Sequence, residues 1–317
     1  MRDGRHPACA RAGPRAGLPP RSGGRIRGGR RRRAHAVRPR RQGRAHATRR
    51  DGHGGDRVTR LEGALDEPGL VAYLVGDHPD RERFLAYADA LVDAGVSVLE
   101  VGIPFSDPIA DGPTIQTAVT EALAEGVRPP DVIEAIAELR DRHPHVPIVP
   151  MTYTNIVHRI GYDRFDQRLT EAGADGAILA DQPPEAARHS TGLDELDQVF
   201  LASPATDDER LATVTRSTRG FLYVVGLFGT TGARERLDPR TVELVERVAP
   251  IADDQGTPFA VGFGVSRGDH ARHLVEAGAD GVVVGSAFVD EILDREDPKA
   301  VGDLARELVA GIEDAGK

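Results

Sequence analysis

The stretch Ala94-Gly95-Val96-Ser97-Val98-Leu99-Glu100-Val101-Gly102 decides the architecture. It reads as the end of a helix, a glycine cap, a short turn and then an apolar strand. The same arrangement returns at Ala172-Gly173-Ala174-Asp175, ahead of 176–179, and at Ala277-Gly278-Ala279-Asp280, ahead of 281–284. Glycine just past a helix supplies the left-handed C-cap, and a short loop then feeds the next strand.

Working outward, strand-like runs fall at 70–75, 97–101, 146–151, 176–179, 199–202, 221–225, 258–261 and 281–284. They are near-continuous apolar stretches without in/out alternation, as expected of strands covered on both faces. Helical patterns lie between them at 81–94, 114–124 with 130–140, 164–172, weakly at 193–196, then 207–216, 239–249, 269–277 and 298–312. Eight βα units in this length match a (β/α)8 TIM barrel, an α/β fold, better than a doubly wound sheet, which stays open on pattern alone. No second domain or linker is visible. Residues 57–317 read as one TIM-barrel catalytic domain, with no apolar run near the length of a membrane span.

Charge divides the chain sharply. Residues 1–50 hold 17 Arg, no Lys and one acid, Asp3. The rest holds 24 of the 41 basic and 49 of the 50 acidic side chains, a net of −25. The head, 1–56, is Arg, Gly, Ala and Pro with too little apolar surface to offset ordering entropy, so it reads as a disordered extension. A nucleic-acid arm, a transit peptide and a non-native extension compete for it. It lacks the Ser content and apolar face of a transit peptide, and the acidic body does not support nucleic acid as a partner. The non-native reading is favoured. An acidic body with only Lys299 and Lys317 suggests a salt-adapted cytoplasmic protein, because salt screens the self-repulsion. Cys9, the one cysteine, lies in the head, so the body has no thiol chemistry.

Functional residues of such a barrel come from the C-terminal strand ends. Glu100 is the first anomaly, a carboxylate inside an apolar strand, where desolvation would raise its pKa toward acid/base use. A satisfied strand-end Glu is the competing reading. The following Gly102-Ile103-Pro104-Phe105-Ser106-Asp107-Pro108-Ile109-Ala110-Asp111-Gly112-Pro113 is a shaped loop that can return Asp111 over the mouth; Asp107 and Asp111 also suit simple turns. After the seventh and eighth strands come Val261-Gly262-Phe263-Gly264-Val265-Ser266 and Val284-Gly285-Ser286-Ala287. Loops in those places are the usual barrel phosphate site. Gly226-Leu227-Phe228-Gly229-Thr230-Thr231-Gly232-Ala233-Arg234 after the sixth strand suits a lid or an ordinary surface loop. His143, His145, His270 and His273 read as surface histidines, and no metal site is expected.

The run from Leu99 to Gln116, with Glu100-Val101-Gly102-Ile103-Pro104-Phe105-Ser106-Asp107-Pro108-Ile109-Ala110-Asp111-Gly112 at its heart, resembles the signature of tryptophan synthase alpha subunits. Tyr153 with Asn155, Ala180-Asp181 with Pro183, Thr231-Gly232, Gly262-Phe263-Gly264 and Gly285-Ser286 agree in order, and the likeness covers about 61 to the C-terminus. The resemblance implies cleavage of indole-3-glycerol phosphate to indole and glyceraldehyde 3-phosphate. It implies no cofactor in this subunit, and an α2β2 complex with a pyridoxal-phosphate-dependent beta subunit that receives the indole. It assigns Glu100 as the acid/base at indole C3 and Asp111 as acceptor of the indole N–H. Tyr153, Tyr223, Thr231 and Phe263 would contact substrate, with Thr231 the lid residue that reaches Asp111. Gly232, Gly264, Gly285 and Ser286 would cradle the phosphate. Two departures stand out: His78 between Asp77 and Pro79, and Gly226-Leu227-Phe228-Gly229 where the family commonly has a polar lid.

Two other classes stay in view. Another phosphate-binding barrel would want a strand-end lysine, which the body lacks. A non-catalytic activating subunit would need neither Glu100 nor Asp111.

Overall fold

A computed structural model describes residues 59–109, 111–187, 193–226, 238–262 and 264–315. In chain order its elements are β1 (Gly69–Val75), α1 (Arg81–Asp93), β2 (Val98–Gly102), α2 (Pro113–Ala124), α3 (Pro129–Arg142), β3 (Ile148–Thr152), α4 (Thr154–Ile160), α5 (Tyr162–Glu171), β4 (Gly176–Leu179) and α6 (Pro184–Ala187). There follow β5 (Asp197–Val199), β6 (Leu201–Ala202), α7 (Asp208–Ser217), β7 (Leu222–Val225), α8 (Pro239–Gln255), β8 (Phe259–Gly262), α9 (Gly268–Glu276), β9 (Gly281–Val284), α10 (Ser286–Leu293) and α11 (Pro298–Ala315).

All the strand pairs are parallel, in the order β5-β4-β3-β2-β1-β9-β8-β7-β6. β5 and β6 are consecutive pieces of one strand interrupted at Phe200, whose carbonyl accepts from Tyr223 N at 3.0 Å. The two ends of the order therefore meet, and the sheet closes as the expected barrel. The fifth strand begins at Asp197, two residues before the expected run.

The three Ala-Gly junctions are left-handed caps as expected, with φ of 92° at Gly95, 85° at Gly173 and 114° at Gly278. The polar residue of the motif has its own task. Asp175 accepts from Ile148 N at 2.9 Å, and Asp280 accepts from Phe259 N at 3.0 Å, so each side chain satisfies the first amide of a strand.

One inward residue per barrel strand, with Phe221 standing just ahead of β7, builds the interior: Val71, Val98, Val149, Ile178, Val199, Phe221, Ala260 and Val283. Leu61 and Leu65 join this cluster from below, so the short segment ahead of β1 plugs the N-terminal face. Burying each leucine contributes roughly 1.5–3 kcal/mol. A second, larger cluster lies between strands and helices, with Leu74, Leu99, Phe84, Leu139 and Phe288 among its members.

Three expectations need correction. Residues 193–196 are not helical. So short a run gains little from helix formation on its own, and here Asp166 takes the Glu195 amide at 3.1 Å instead. His270 is not a surface residue: α9 presses on α11, with Gly268 against Glu307, and His270 is buried on that helix. α4 and α10, short helices directly after β3 and β9, were not anticipated.

Candidate active site

The barrel interior changes character above the Val71–Val98–Val149 layer. With side chains alternating along each strand, the next inward positions are Tyr73, Glu100 and Met151, and Tyr223 lies across the mouth on β7. Glu100 is paired in register with Tyr73 on one side and Val149 on the other. It is 1% exposed. Neither carboxylate oxygen has a hydrogen-bond partner among the described residues. Burial, and secondarily the charge of Asp111, pushes its pKa up to about 8. Glu100 is thus a neutral acid at pH 7 that can release its proton near neutrality.

Asp111 stands just before Gly112, the N-cap of α2. Tyr153 donates to its Oδ2 at 3.2 Å, and Gln116 Nε2 donates to its backbone carbonyl at 2.9 Å. Burial raises the Asp111 pKa while the Tyr153 hydrogen bond pulls it down. Tyr153, buried at the start of α4, also packs on Phe105 with ring centroids 5.1 Å apart. Asp181 caps the same helix, accepting from the Thr154 amide at 2.8 Å and its hydroxyl at 2.7 Å.

Tyr223 sets its hydroxyl over Gly262, where an added Cβ would lie 2.7 Å from the oxygen. Its phenol is held well above the usual range by burial first and then by Glu100 and Asp111. Gly264 follows β8 with φ 70° and open space where a side chain would stand. Gly285 and Ser286 form the N-terminus of α10. The expected cradle residues Gly264, Gly285 and Ser286 thus sit at neighbouring strand ends, with backbone amides available to an anion. Thr231, Gly232 and Phe263, and the lid from Leu227 onward, lie outside the described residues.

Tyr73 is the residue that sequence reading missed. Its hydroxyl lies over Gly102, 2.2 Å from where a Cβ would be, and its ring stands 3.3 Å from where a Cβ on Gly285 would be. Burial, then Asp111 and Glu100, holds its phenol well above the usual range. The signal was the spacing of two from Val71, which puts Tyr73 on the inner face in register with Glu100.

A buried neutral acid, a second carboxylate held by a tyrosine and a glycine-lined anion cradle together suit proton transfer to and from a phosphorylated substrate. Among the described residues no group of three or more His, Cys, Asp or Glu could hold a metal ion. No described helix is long and apolar enough to cross a membrane.

The family described as "Tryptophan synthase alpha chain" matches residues 62–315. A tryptophan synthase alpha chain of Methanopyrus kandleri is 44% identical over 252 residues, covering 77% of this chain and 90% of the relative. That of Natronomonas pharaonis is 41% identical over 268 residues, covering 79% and 94%. Among solved structures, the alpha subunit from Legionella pneumophila superposes with a TM-score of 0.73 at 33% identity, covering 81% of this chain and all of that one. A chain from a structure of the tryptophan synthase a2b2 complex of Pyrococcus furiosus gives 0.71 at 40% identity, covering 76% and 98%.

Proposed function

The chain belongs to the tryptophan synthase alpha chain family, a lyase that cleaves indole-3-glycerol phosphate to indole and glyceraldehyde 3-phosphate, and we propose that Glu100 and Asp111 carry this reaction. The observation behind the assignment is the buried Glu100, without a hydrogen-bond partner among the described residues, its pKa raised to about 8, with Asp111 near enough to add to that shift.

Glu100 enters the cycle protonated and gives its proton to C3 of the indole ring. Positive charge then develops at the indole nitrogen, where the Asp111 carboxylate accepts the N–H, the kind of preorganised stabilisation that lowers a barrier. Glu100, now a carboxylate, takes the proton of the glycerol hydroxyl next to the ring. As that oxygen becomes the aldehyde carbonyl, the carbon–carbon bond breaks and its electron pair restores the aromatic indole. Glu100 ends the cycle protonated.

Tyr153 and Tyr223 flank the organic portion, joined by Thr231 and Phe263. Gly264, Gly285 and Ser286, with Gly232, hold the phosphate. The loop from Pro104 to Asp107 continues to Ile109, which is 82% exposed. It faces a beta subunit in an α2β2 complex, which supplies pyridoxal phosphate and receives the indole; this chain needs no cofactor of its own. Residues 57–317 are the catalytic unit and 1–56 an extension, a division supported by a family match that starts at residue 62.

The deciding assay is indole release from indole-3-glycerol phosphate, with and without a beta subunit. Glu100→Gln should fold and bind substrate yet lose at least about a thousandfold in kcat, the scale of a combined acid/base role. A variant with comparable turnover overturns the assignment.

We also propose a cytoplasmic, salt-adapted enzyme, on the support of the net −25 outside the first 50 residues. Screening of that charge should raise the Tm from low salt to molar KCl. A flat response sinks this reading.

A further inference from the structure

We propose that His78 and Glu121 form a positioning clip: the imidazole, buried at the end of β1, holds helix α2 in the register that presents Asp111 to the site. The inference rests on the catalytic reading of Asp111 given above.

His78 is 4% exposed, and its Nε2 lies 3.1 Å from Glu121 Oε2. A carboxylate only accepts, so Nε2 carries the proton. The turn that carries His78 is anchored from the opposite side. Asp77, in the left-handed region at φ 58°, accepts from Arg81 through both oxygens, and Arg81 reaches onward to Glu138 and to the Asp131 carbonyl of α3. His78 therefore projects from a node fixed to α1 and α3, and its hydrogen bond ties α2 to that node.

Helix α2 needs such a tie. Its buried residues are Ala118, Val119 and Ala122, packed in a cluster with Tyr73, Val75 and Val289. The packed face mixes small Ala118 and Ala122 with the larger Val119 and the partly buried Ile115, so packing sets the distance to the barrel and part of the register. A directional hydrogen bond at Glu121 adds a second, independent constraint on rotation and sliding. At the other end of the same helix, Gln116 holds the Asp111 carbonyl at 2.9 Å and Gly112 is the N-cap. From Gly112 to Glu121 the helix rises about 14 Å, and a hydrogen-bonded helix of that length shifts as a unit. A displacement at Glu121 is passed to Asp111.

Glu121 is half-exposed, so its hydrogen bond to His78 adds modestly to folding, and it can be changed without touching the site. The test compares Glu121→Ala, Glu121→Gln and Asp111→Asn, measuring indole release against substrate concentration together with the Tm. Glu121→Ala should lower kcat about fivefold, with KM within about twofold, because a displaced catalytic group costs turnover more than binding. Its Tm should stay within about 2 °C of the parent. Glu121→Gln keeps an acceptor for the imidazole N–H and should recover kcat to within about twofold of the parent. Parental kcat in Glu121→Ala, a loss matched by lost folded protein, or a glutamine no better than alanine each overturns the clip. Asp111→Asn separates the two claims. If it keeps turnover, the reading of Asp111 itself fails; if it is inactive while Glu121→Ala is unimpaired, only the clip fails.

Discussion

Two buried carboxylates in this barrel are treated in opposite ways. Asp175, 4% exposed at the entry to β4, accepts from Arg60 at 3.0 Å, Arg140 at 2.6 Å and the Ile148 amide at 2.9 Å. Arg140 also donates to the carbonyls of Gly173, His143 and Val146. Glu100, 1% exposed in the mouth layer, accepts from nothing described. The N-terminal face spends its polar groups on one another and holds the plug in place. The mouth leaves a carboxyl group without a partner among the described residues, which costs stability and gives an acid poised to titrate near neutral pH. Satisfaction, not burial, separates a structural carboxylate from a reactive one.

The largest consequence lies in pH. The folded pKa of Glu100, about 8, stands above its ordinary 4.5. Below 4.5 both states hold the proton and the group contributes no difference. Between 4.5 and 8 the unfolded chain releases a proton that the folded chain keeps, so stability falls as pH rises, and above 8 the loss is complete. At about 1.36 kcal/mol per unit, the span is on the order of 4–5 kcal/mol. Denaturant unfolding of parent and Glu100→Gln across pH 5 to 8 isolates it, because other groups cancel in the difference. The parent should lose ground to the variant steadily through that window. A constant difference would mean that Glu100 is satisfied after all, and the contrast with Asp175 would collapse.

The converse change is smaller in stability and opposite in kind. Asp175→Ala leaves Arg140 without its carboxylate in a largely buried place, while the more exposed Arg60 is rehydrated. The expected cost is about 3 kcal/mol, the low end for breaking a buried pair, with kcat per folded molecule within about twofold of the parent. Urea midpoints and active-site-normalised rates read the two quantities separately. A large fall in kcat without loss of stability would erase the division between the two faces.

The two faces also differ in how openly the sequence announces them. Glu100 was legible because a charged residue breaks an apolar run, and the glycine caps at 95, 173 and 278 were legible because they repeat in one chain context. Asp175 was visible only as the fourth letter of that repeat. Its partners Arg60 and Arg140 lie 115 and 35 residues away, and no local pattern carries such a distance. Tyr73 escaped for another reason: an aromatic residue in a strand is what core packing predicts, and only its register with Glu100 gives it meaning. α4 and α10 are seven and eight residues long, too short to show much helical period beside a strand end. His270 failed because its face is set by α11, which packs on α9 from elsewhere in the chain.

The smallest effect concerns Tyr153, which hydrogen-bonds the Asp111 carboxylate in the mouth. Its hydroxyl donates to Asp111 at 3.2 Å and draws that carboxyl down against the upward push of burial. Tyr153→Phe keeps the ring against Phe105 and removes only the donor. With the donor gone, burial acts unopposed and the Asp111 pKa rises. In the proposed role Asp111 accepts the indole N–H as a carboxylate, so the acid limb of kcat should move to higher pH, while the alkaline limb near 8, assigned to Glu100 in the same proposal, should stay where it is. At the plateau, kcat should fall roughly five- to tenfold, about 1–1.4 kcal/mol and within the range of one ordinary hydrogen bond, with KM little changed. An acid limb that does not move would show that Asp111 is ionised without help from Tyr153. The solvent or the substrate would then supply what Tyr153 does not, and the mouth would owe less to its own side chains than the Asp175 face does.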